Sequence, residues 1–263
     1  GAAVRAFIGD RDTWMFWKPL SEMSPHLVNA IIAVEDERFR LHPGVDPISV
    51  VRAMMSNAMH GRIVSGASTL TMQTARLLRP RPRNLKAKVI EAFRALQIER
   101  LLTKDEIVEL YLNLAPFGGT LIGVEAAAQR YFGKSSRSLT LAEAALVAGL
   151  PQAPSRLRPD RRPERALKRR DHVLRRMRVE GYITGSQLAR ALAEPLHVEK
   201  QGFPFRAPHF AEMVRRRRSD KRLLRPTLDP RIQAICVRAI REGVDRFRPG
   251  VTNGAVVVIG NST

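Results

Sequence analysis

The chain has 263 residues, of which 44% are hydrophobic and 27% are charged, a composition typical of a folded globular protein rather than a disordered one. It carries 45 Lys and Arg against 25 Asp and Glu, and the net charge of +20 predicts attraction to nucleic acid, an anionic membrane face or a phosphorylated substrate. Aromatic residues are only 6% and do not interleave with the basic runs, which argues against binding of single-stranded nucleic acid by stacking.

The first two predicted helices enclose an acidic cluster. Ser24-Pro25 predicts a helix start, with the serine as N-cap and the proline in the first turn, and Pro43-Gly44 is expected to end that helix. Asp46-Pro47 predicts the cap of a second helix that runs to about Gly61. The stretch VEDERFRLHPGVD, Val34–Asp46, gathers four acids between these helices. The acids are therefore expected on a helix end and on the following turn.

Helical patterns continue along most of the remaining chain. Periodicity returns from Lys86 to Leu102, and Pro163 to Gly181 is predicted to form an Arg-rich helix. Capping-box patterns predict three more helix starts, at Thr103 with Glu106, at Thr140 with Glu143 and at Thr184 with Gln187. Near the end, Asp229-Pro230 predicts an amphipathic helix and GAVVVI predicts a strand.

These patterns divide the chain into three segments. Residues 1–194 are predicted to form one mainly α-helical domain. Residues 195–225 contain the run RRRR and few periodic apolar positions, so we expect a basic linker. Residues 226–263 are predicted to begin a second domain, and we expect the chain to be a fragment of a longer protein.

Glu35 is the strongest catalytic candidate on chemical grounds. It lies beside the apolar stripe of the first helix, with Arg52 one helix further on as a candidate partner. A half-buried carboxylate can have a raised pKa and serve as a general base. The alternative is a solvated helix end with ion pairs from the acids to Arg38 and Arg40. Periodicity alone favours that alternative.

His42 is a weaker candidate for a functional role. No His or Cys lies at metal-binding spacing from it, so a metal site is not predicted. We expect the imidazole to bridge the turn to Asp46 by hydrogen bonds.

A basic segment follows the small and hydroxyl residues of GASTLT. Arg76, Arg83 and Lys88 lie within thirteen residues and would suit a pyrophosphate leaving group, although a solvated basic face is an equal alternative. Glu91 falls among them as a second candidate carboxylate, which could instead pair with Lys88 on the preceding helical turn.

Together these stretches resemble the ordered motifs of the peptidoglycan glycosyltransferases (family 51), the membrane-proximal domain of class A penicillin-binding proteins. VEDERFRLHPGVD is similar to the first motif, EDxxFxxHxGxD, and GASTLTMQTARLL to the second; Lys88 and Glu91 fall on RKxxE. KDEIVELYLNLAPFGGT and LAEAALVAGLPQAPSRLRP match the fourth and fifth. The sequences STLTMQ, APFGGT and PQAPSRLRPD most resemble those of the penicillin-binding protein 1C branch.

The resemblance implies a lysozyme-like, mainly α-helical domain that polymerises lipid II into β-1,4 glycan strands with inversion and release of undecaprenyl pyrophosphate. Glu35 takes the position of the catalytic base, and Glu91 that of the second catalytic carboxylate. The tail resembles the truncated start of an α/β transpeptidase domain, whose SxxK serine motif does not occur in this sequence. Transpeptidase activity is therefore not expected from this chain.

The resemblance also implies a set of substrate-binding residues. Asp36 and Phe39 share the motif of the base and are implied to orient it and to line the cleft. The other implied substrate-binding residues are His42, Arg52, Ser68, Thr69, Gln73, Arg76, Arg83 and Lys88. Ala87 stands where the family has an arginine, which leaves the positive charge on the donor side to Arg83 and Lys88.

The sequence requires no cofactor. Metal dependence varies within the family, so Mg²⁺ or Mn²⁺ that bridges the pyrophosphate stays an open alternative.

The implied partners are lipid II, the growing glycan, the bacterial cytoplasmic membrane and other cell wall synthesis proteins, with no nucleic acid. The implied location is the periplasmic face of the cell inner membrane, with the anchor outside this chain and the apolar residues between Pro47 and Ile63 dipping into lipid.

Two rival functions stay open. A lysozyme-like hydrolase or lytic transglycosylase would cleave glycan instead of forming it. A non-catalytic basic module would bind anionic lipid or nucleic acid through charge alone, with affinity that falls steeply as salt rises.

Overall fold

A computed structural model describes residues 13–61, 68–82, 84–198, 213, 228–247, 249–252, 254–256 and 258. The chain divides into two compact units, Ile8–Gln201 and Gly202–Thr263 with Gly1–Phe7. The described part is mainly α-helical, as predicted. Most of the predicted linker lies outside the described residues, so the three-segment organisation stays a prediction. The candidate Arg83 also lies outside the described residues.

The larger unit contains nine α-helices within its described residues. They are α1 (Pro25–Glu35), α2 (Pro47–His60), α3 (Leu70–Leu78), α4 (Leu85–Leu101), α5 (Lys104–Leu114), α6 (Val124–Phe132), α7 (Leu141–Gly149), α8 (Pro163–Val179) and α9 (Gly185–Ala193). Short 3-10 helices form at Leu20–Glu22, Phe39–Leu41 and Ser136–Ser138.

Local capping determines where several of these helices begin. In each predicted capping box the threonine hydroxyl accepts the backbone N–H three residues on, and the side chain at that position accepts the backbone N–H of the cap. All three boxes are confirmed, at the starts of α5, α7 and α9. Asp46 likewise caps α2 by accepting from the N–H of Ile48 at 3.1 Å.

Helix α1 begins where the sequence predicts but ends earlier. The predicted side-chain cap at Ser24 does not form, because its hydroxyl donates to the carbonyl of Leu139 at 3.4 Å. The helix stops at Glu35 rather than near Pro43, since Asp36 adopts φ −160° and ψ 80°. The expected end was wrong because it rested on a local signal, whereas contacts from other elements hold Asp36.

The helices of the larger unit pack as two groups. Helix α7 is buried along nearly its whole length and packs against α1 and α8, and α8 also packs against α9. Its alanines and Gly149 allow the neighbouring helices to approach closely. In the second group, α3 packs against α4 and α5. Glu35, at the end of α1, receives side chains from both groups.

A three-stranded sheet borders the helices. Its strands are β1 (Trp14–Met15), β2 (Pro116–Gly118) and β3 (Leu121–Ile122), in the order β1-β3-β2. Strand β1 runs parallel to β3, with Trp14 opposite Leu121, and β2 runs antiparallel to β3. The sheet thereby ties the first described residues of the chain to the segment between α5 and α6.

Two helices of the larger unit carry exposed apolar faces. The periodic stripe of α4 is exposed at Val89, Phe93, Leu96 and Leu101. On α2, Ile48, Val51, Met55 and Met59 are exposed and line a groove of about 590 Å³. On these two helices, helical periodicity of apolar residues therefore predicts the helix but not the burial of its apolar face.

In the smaller unit, residues Pro230–Arg246 form helix α10, which Asp229 caps as predicted. The predicted strand is not formed by the described residues of GAVVVI, which are Gly254, Ala255, Val256 and Val258. Across the described residues of both units, each helix is too short or too polar to cross a membrane.

Candidate active site

Glu35 occupies a largely buried position at the end of α1, with its side chain 11% exposed. Its Oε2 accepts a hydrogen bond from Gln73 Nε2 at 2.9 Å, while Oε1 has no hydrogen-bond partner. Burial raises the pKa of Glu35, opposed by the Gln73 hydrogen bond and by the charges of Arg169 and Arg76. The alternative of a solvated helix end is therefore wrong for this residue. A buried carboxylate with one oxygen that accepts no hydrogen bond is suited to accept a proton.

Gln73 is itself oriented by Tyr111 of α5. The Tyr111 hydroxyl donates to Gln73 Oε1 at 3.3 Å, which directs the amide nitrogen of Gln73 toward Glu35. Burial, followed by the neighbouring Glu35, raises the pKa of Tyr111 well above its usual range, so the phenol stays protonated and donates. The chain of donors from α5 through α3 thus fixes one oxygen of Glu35.

Asp36 joins the end of α1 to the start of α3. Its Oδ2 accepts from the backbone N–H of Leu70 at 2.8 Å, and its Oδ1 lies 3.0 Å from His42 Nε2. The N–H of Gly44 donates to His42 Nδ1 at 3.2 Å, so Nε2 carries the proton and donates to Asp36. The expected bridge from His42 to Asp46 is therefore wrong, because the ring bonds Asp36. We call Asp36, His42, Gly44 and Leu70 the Asp36 clasp.

Thr69 completes the connection between the turn and α3. Its hydroxyl donates to the carbonyl of Gly44 at 2.6 Å and accepts the N–H of Met72 at 3.2 Å as the helix cap. Gly44 has φ +99°, and a Cβ there would lie 2.8 Å from the carbonyl oxygen of Ala95. Only glycine fits this close approach of the turn to α4.

Two predicted substrate-binding residues, Phe39 and His42, are buried. Phe39 is completely buried, with Lys104 Nζ 4.5 Å from the centre of its ring, and His42 is 4% exposed. A side chain without exposed surface cannot line a cleft, so the structure differs from the prediction for Phe39. Both side chains instead support the turn that carries the acidic cluster.

Arg52 contacts a different acid from the one expected. Its Nη1 donates to Glu37 Oε1 at 2.9 Å, and Arg176 of α8 pairs with the other oxygen of Glu37. The hydrogen bond from Arg52 and the contact with Arg176 lower the pKa of Glu37 despite some burial. Glu37 is therefore the ionised surface member of the cluster, with partners other than the Arg38 and Arg40 that the sequence suggested.

The second carboxylate, Glu91, is 7% exposed on α4 and lies 4.0 Å from Arg76 Nε. Arg76 also acts electrostatically on Glu35, so this arginine of α3 links the two carboxylates. Glu91 pairs with Arg76 rather than with Lys88, which is exposed one turn earlier on α4. The structure thus brings together Glu35, Gln73, Arg76 and Glu91. Ser68 is half-buried beside the start of α3.

Three residues near the acids were not among the predicted site residues. Tyr111 lies in the stretch KDEIVELYLN, which matched the fourth motif, but no residue of that motif was assigned a role. Arg169 and Arg176 belong to the Arg-rich helix α8, and charge alone does not single them out among its arginines. Arg169 Nη2 lies 4.0 Å from Glu35 Oε1. Only the packing of α8 against α1 identifies it.

A comparison with known protein families agrees with this arrangement. The profile of the transglycosylase family matches residues 1–178, which include both carboxylates and Arg169. The chain belongs to the transglycosylase family. This transglycosylase is therefore a glycosyltransferase, and the family resemblance in its motifs is confirmed.

Its relatives are penicillin-binding proteins. The chain is 44% identical over 259 residues to penicillin-binding protein 1C of Escherichia coli strain K12, covering 98% of this chain and 33% of that protein. It is 43% identical to penicillin-binding protein 1A of Aquifex aeolicus strain VF5, covering 88% of this chain and 33% of that protein. It is 47% identical to penicillin-binding protein 1A of Escherichia coli strain K12, over 74% of this chain and 23% of that protein. The chain spans a third or less of the length of these relatives.

Proposed function

We propose that this transglycosylase polymerises lipid II into β-1,4-linked peptidoglycan strands, with inversion at the anomeric carbon and release of undecaprenyl pyrophosphate. The observation that carries the proposal is the buried Glu35, whose Oε1 has no hydrogen-bond partner, together with a second carboxylate, Glu91, that is paired with the cation Arg76. A proton acceptor beside fixed positive charge suits an attack by a hydroxyl on a carbon that loses pyrophosphate.

In the proposed reaction, Glu35 Oε1 takes the proton from the 4-hydroxyl of the acceptor GlcNAc. The oxygen forms a bond to the anomeric carbon of the MurNAc at the end of the growing chain. The bond from that carbon to the pyrophosphate oxygen breaks, and its electron pair leaves with undecaprenyl pyrophosphate. Gln73 donates to the other oxygen of Glu35, so Oε1 stays free of hydrogen bonds and can take the proton.

The leaving pyrophosphate would be stabilised by cations on the donor side. Arg76 lies between Glu35 and Glu91, and Lys88 is exposed one turn before Glu91 on α4. Arg83 would add a third cation but lies outside the described residues. Fixed positive charge stabilises negative charge that develops on the leaving oxygens.

A divalent cation would need oxygen ligands from the substrate pyrophosphate to bind at this site. Within the described residues, no three His, Cys, Asp or Glu side chains gather in a way that could hold a metal ion. Glu91 offers one carboxylate, and Mg²⁺ is often bound through one or two carboxylates together with phosphate oxygens. A bridging Mg²⁺ or Mn²⁺ would supply further neutralisation of the pyrophosphate.

The rival hydrolase would use the same acid to cleave glycan. Arg76 beside Glu91 favours the transferase, because a sugar leaving group has no pyrophosphate charge to neutralise. To separate the two, the protein is incubated with lipid II and, in parallel, with purified cell wall. The proposal predicts glycan strands from lipid II and no soluble muropeptides from the wall. Muropeptide release without polymer would overturn it in favour of the hydrolase.

We further propose that α2 rests in the surface of the bacterial cytoplasmic membrane, where lipid II resides. Met54 and Met55 of this helix are 67% and 62% exposed, and the groove beside them is lined mainly by apolar residues. An exposed apolar helix face together with a net charge of +20 suits an anionic bilayer. A location at the periplasmic face, among other cell wall synthesis proteins, would follow.

This membrane contact can be tested by sedimentation with vesicles that contain anionic lipid. Changing Met54 and Met55 together to Ser is expected to lower the bound fraction severalfold, because apolar area no longer enters the bilayer. Val179→Ser, which changes a residue 73% exposed at the end of α8, is the control and should bind as the wild type does. Equal binding by all three proteins would contradict the contact.

A further inference from the structure

The unpaired oxygen of Glu35 lies near a cation, Arg169, to which the motifs assigned no role. Arg169 Nη2 lies 4.0 Å from Oε1, beyond hydrogen-bond distance, and Oε1 has no other partner. The arginine side chain is 13% exposed, so water screens the pair weakly. A cation at this separation favours the ionised carboxylate while leaving its lone pair free for a proton.

Arg169 is held in place by the end of α7. Its Nε donates to the carbonyl of Gly149 at 3.2 Å. A Cβ at Gly149 would lie 2.7 Å from Arg169 Cγ and 3.4 Å from Val173 Cγ2. Because Cγ is near the backbone end of the side chain, relief of that clash would move the whole arginine. Glycine at this position is therefore what allows the guanidinium to reach Glu35.

We propose that Arg169, held by its hydrogen bond to the carbonyl of Gly149, is a positioning residue that keeps Glu35 ionised and leaves its Oε1 without a hydrogen bond. The proposal deepens the proposed function and rests on it, since it assigns Arg169 to the same base. Arg169 acts through Glu35 and is assigned no contact with substrate.

The other charged and titratable groups around this pair are few. Asp36 raises the pKa of Glu35, whereas Arg76 lowers it, and the neutral phenol of Tyr111 lies close to both Glu35 and Arg169. On α8, burial and then the charge of Arg169 lower the pKa of His172. Arg169 and Arg76 both lower the pKa of Glu35, and we single out Arg169 because its guanidinium lies 4.0 Å from Oε1.

The direction of the effect on pH dependence follows from the charge. A general base is active when it has lost its proton, so the rate falls as the pH drops through the pKa of the base. Without Arg169 that pKa rises further, and the acid limb of the profile moves to higher pH. A neighbouring opposite charge typically shifts a carboxyl pKa by about one unit or more. Loss of Arg169 should therefore lower the rate about tenfold at a pH on the acid limb.

The test is the pH profile of kcat/KM for lipid II polymerisation by the wild type and four variants. Arg169→Met and Gly149→Ala are expected to move the acid limb upward, with rates that recover at higher pH, and Arg169→Lys is expected to restore most of the wild-type position. Arg165→Met changes an exposed arginine one turn earlier on α8 and should leave the limb unchanged. An unmoved limb in Arg169→Met, or a raised KM with an unmoved limb, would overturn the proposal.

A second readout does not depend on polymerisation. The carboxyl of Glu35 can be titrated by ¹³C NMR in protein labelled at glutamate, with Glu35→Gln used to assign the signal. Arg169→Met should raise the pKa of that carboxyl, and Gly149→Ala should do so as well. If the protein does not polymerise lipid II but the pKa of Glu35 still rises in Arg169→Met, the proposed function fails while this inference holds. Gly149→Ala provides the comparison if Arg169→Met does not fold.

Discussion

Asp36→Ala is expected to lower the free energy of unfolding by about 3 to 5 kcal/mol, because it leaves the buried donors His42 Nε2 and the N–H of Leu70 without an acceptor. The Asp36 side chain is 5% exposed, so water cannot replace the lost bonds easily. The carboxylate also lies at the N-terminus of α3, where negative charge is favourable. Midpoints of urea unfolding measure the effect.

The same change should reduce activity, since the Asp36 clasp holds the start of α3, the helix that places Gln73 against Glu35. A matched control is Asp105→Ala. Asp105 pairs with Arg40 at 2.9 Å but is 63% exposed, and its removal should cost less than about 1 kcal/mol. Asp36→Ala with an unfolding free energy within 1 kcal/mol of the control would contradict the role given to the clasp.

Features that depend on neighbours in sequence could be predicted without the structure. The three capping boxes and the Asp46-Pro47 start of α2 form where expected, because the donors and acceptors of a cap lie within one turn of each other. The acids of VEDERFRLHPGVD were also expected at a helix end, and α1 does end among them.

Features that depend on distant elements could not be predicted in the same way. The end of α1 is set by the N–H of Leu70 and by His42, and local turn signals placed it too late. The partner of Arg52 was assigned to the wrong acid because periodicity does not show which of three adjacent carboxylates faces α2. The position of Arg169 beside Glu35 follows only from the packing of α8 on α1 and α7. Neighbours that long-range packing brings together leave no local pattern.

Glu35→Gln is expected to lower kcat for polymerisation by about 10²- to 10⁴-fold, the usual contribution of a general base. The amide keeps the shape of the side chain but cannot take the proton of the acceptor hydroxyl. Binding of lipid II should change far less, because the Arg76 side of the cleft is untouched. Initial rates across substrate concentrations separate kcat from KM.

The stability of this variant provides a further check. The folded-state pKa of Glu35 is raised by burial, so at any pH above its unfolded-state pKa the ionised side chain lowers the stability of the fold. A neutral glutamine removes that cost, and Glu35→Gln should unfold at neutral pH no more readily than the wild type. An inactive variant that is clearly destabilised would leave the loss of activity explained by misfolding and would contradict this account of the site.

The most direct test of the central claim is polymerisation of fluorescent lipid II, with products resolved by glycan length on a gel. Wild type and Glu35→Gln are compared at equal concentrations of folded protein, and binding of both to anionic vesicles is measured on the same samples. The account predicts glycan ladders from the wild type, none from the variant and equal vesicle binding. Ladders of equal yield from both would contradict Glu35 as the base, and vesicle binding without polymer from either would favour the non-catalytic basic module.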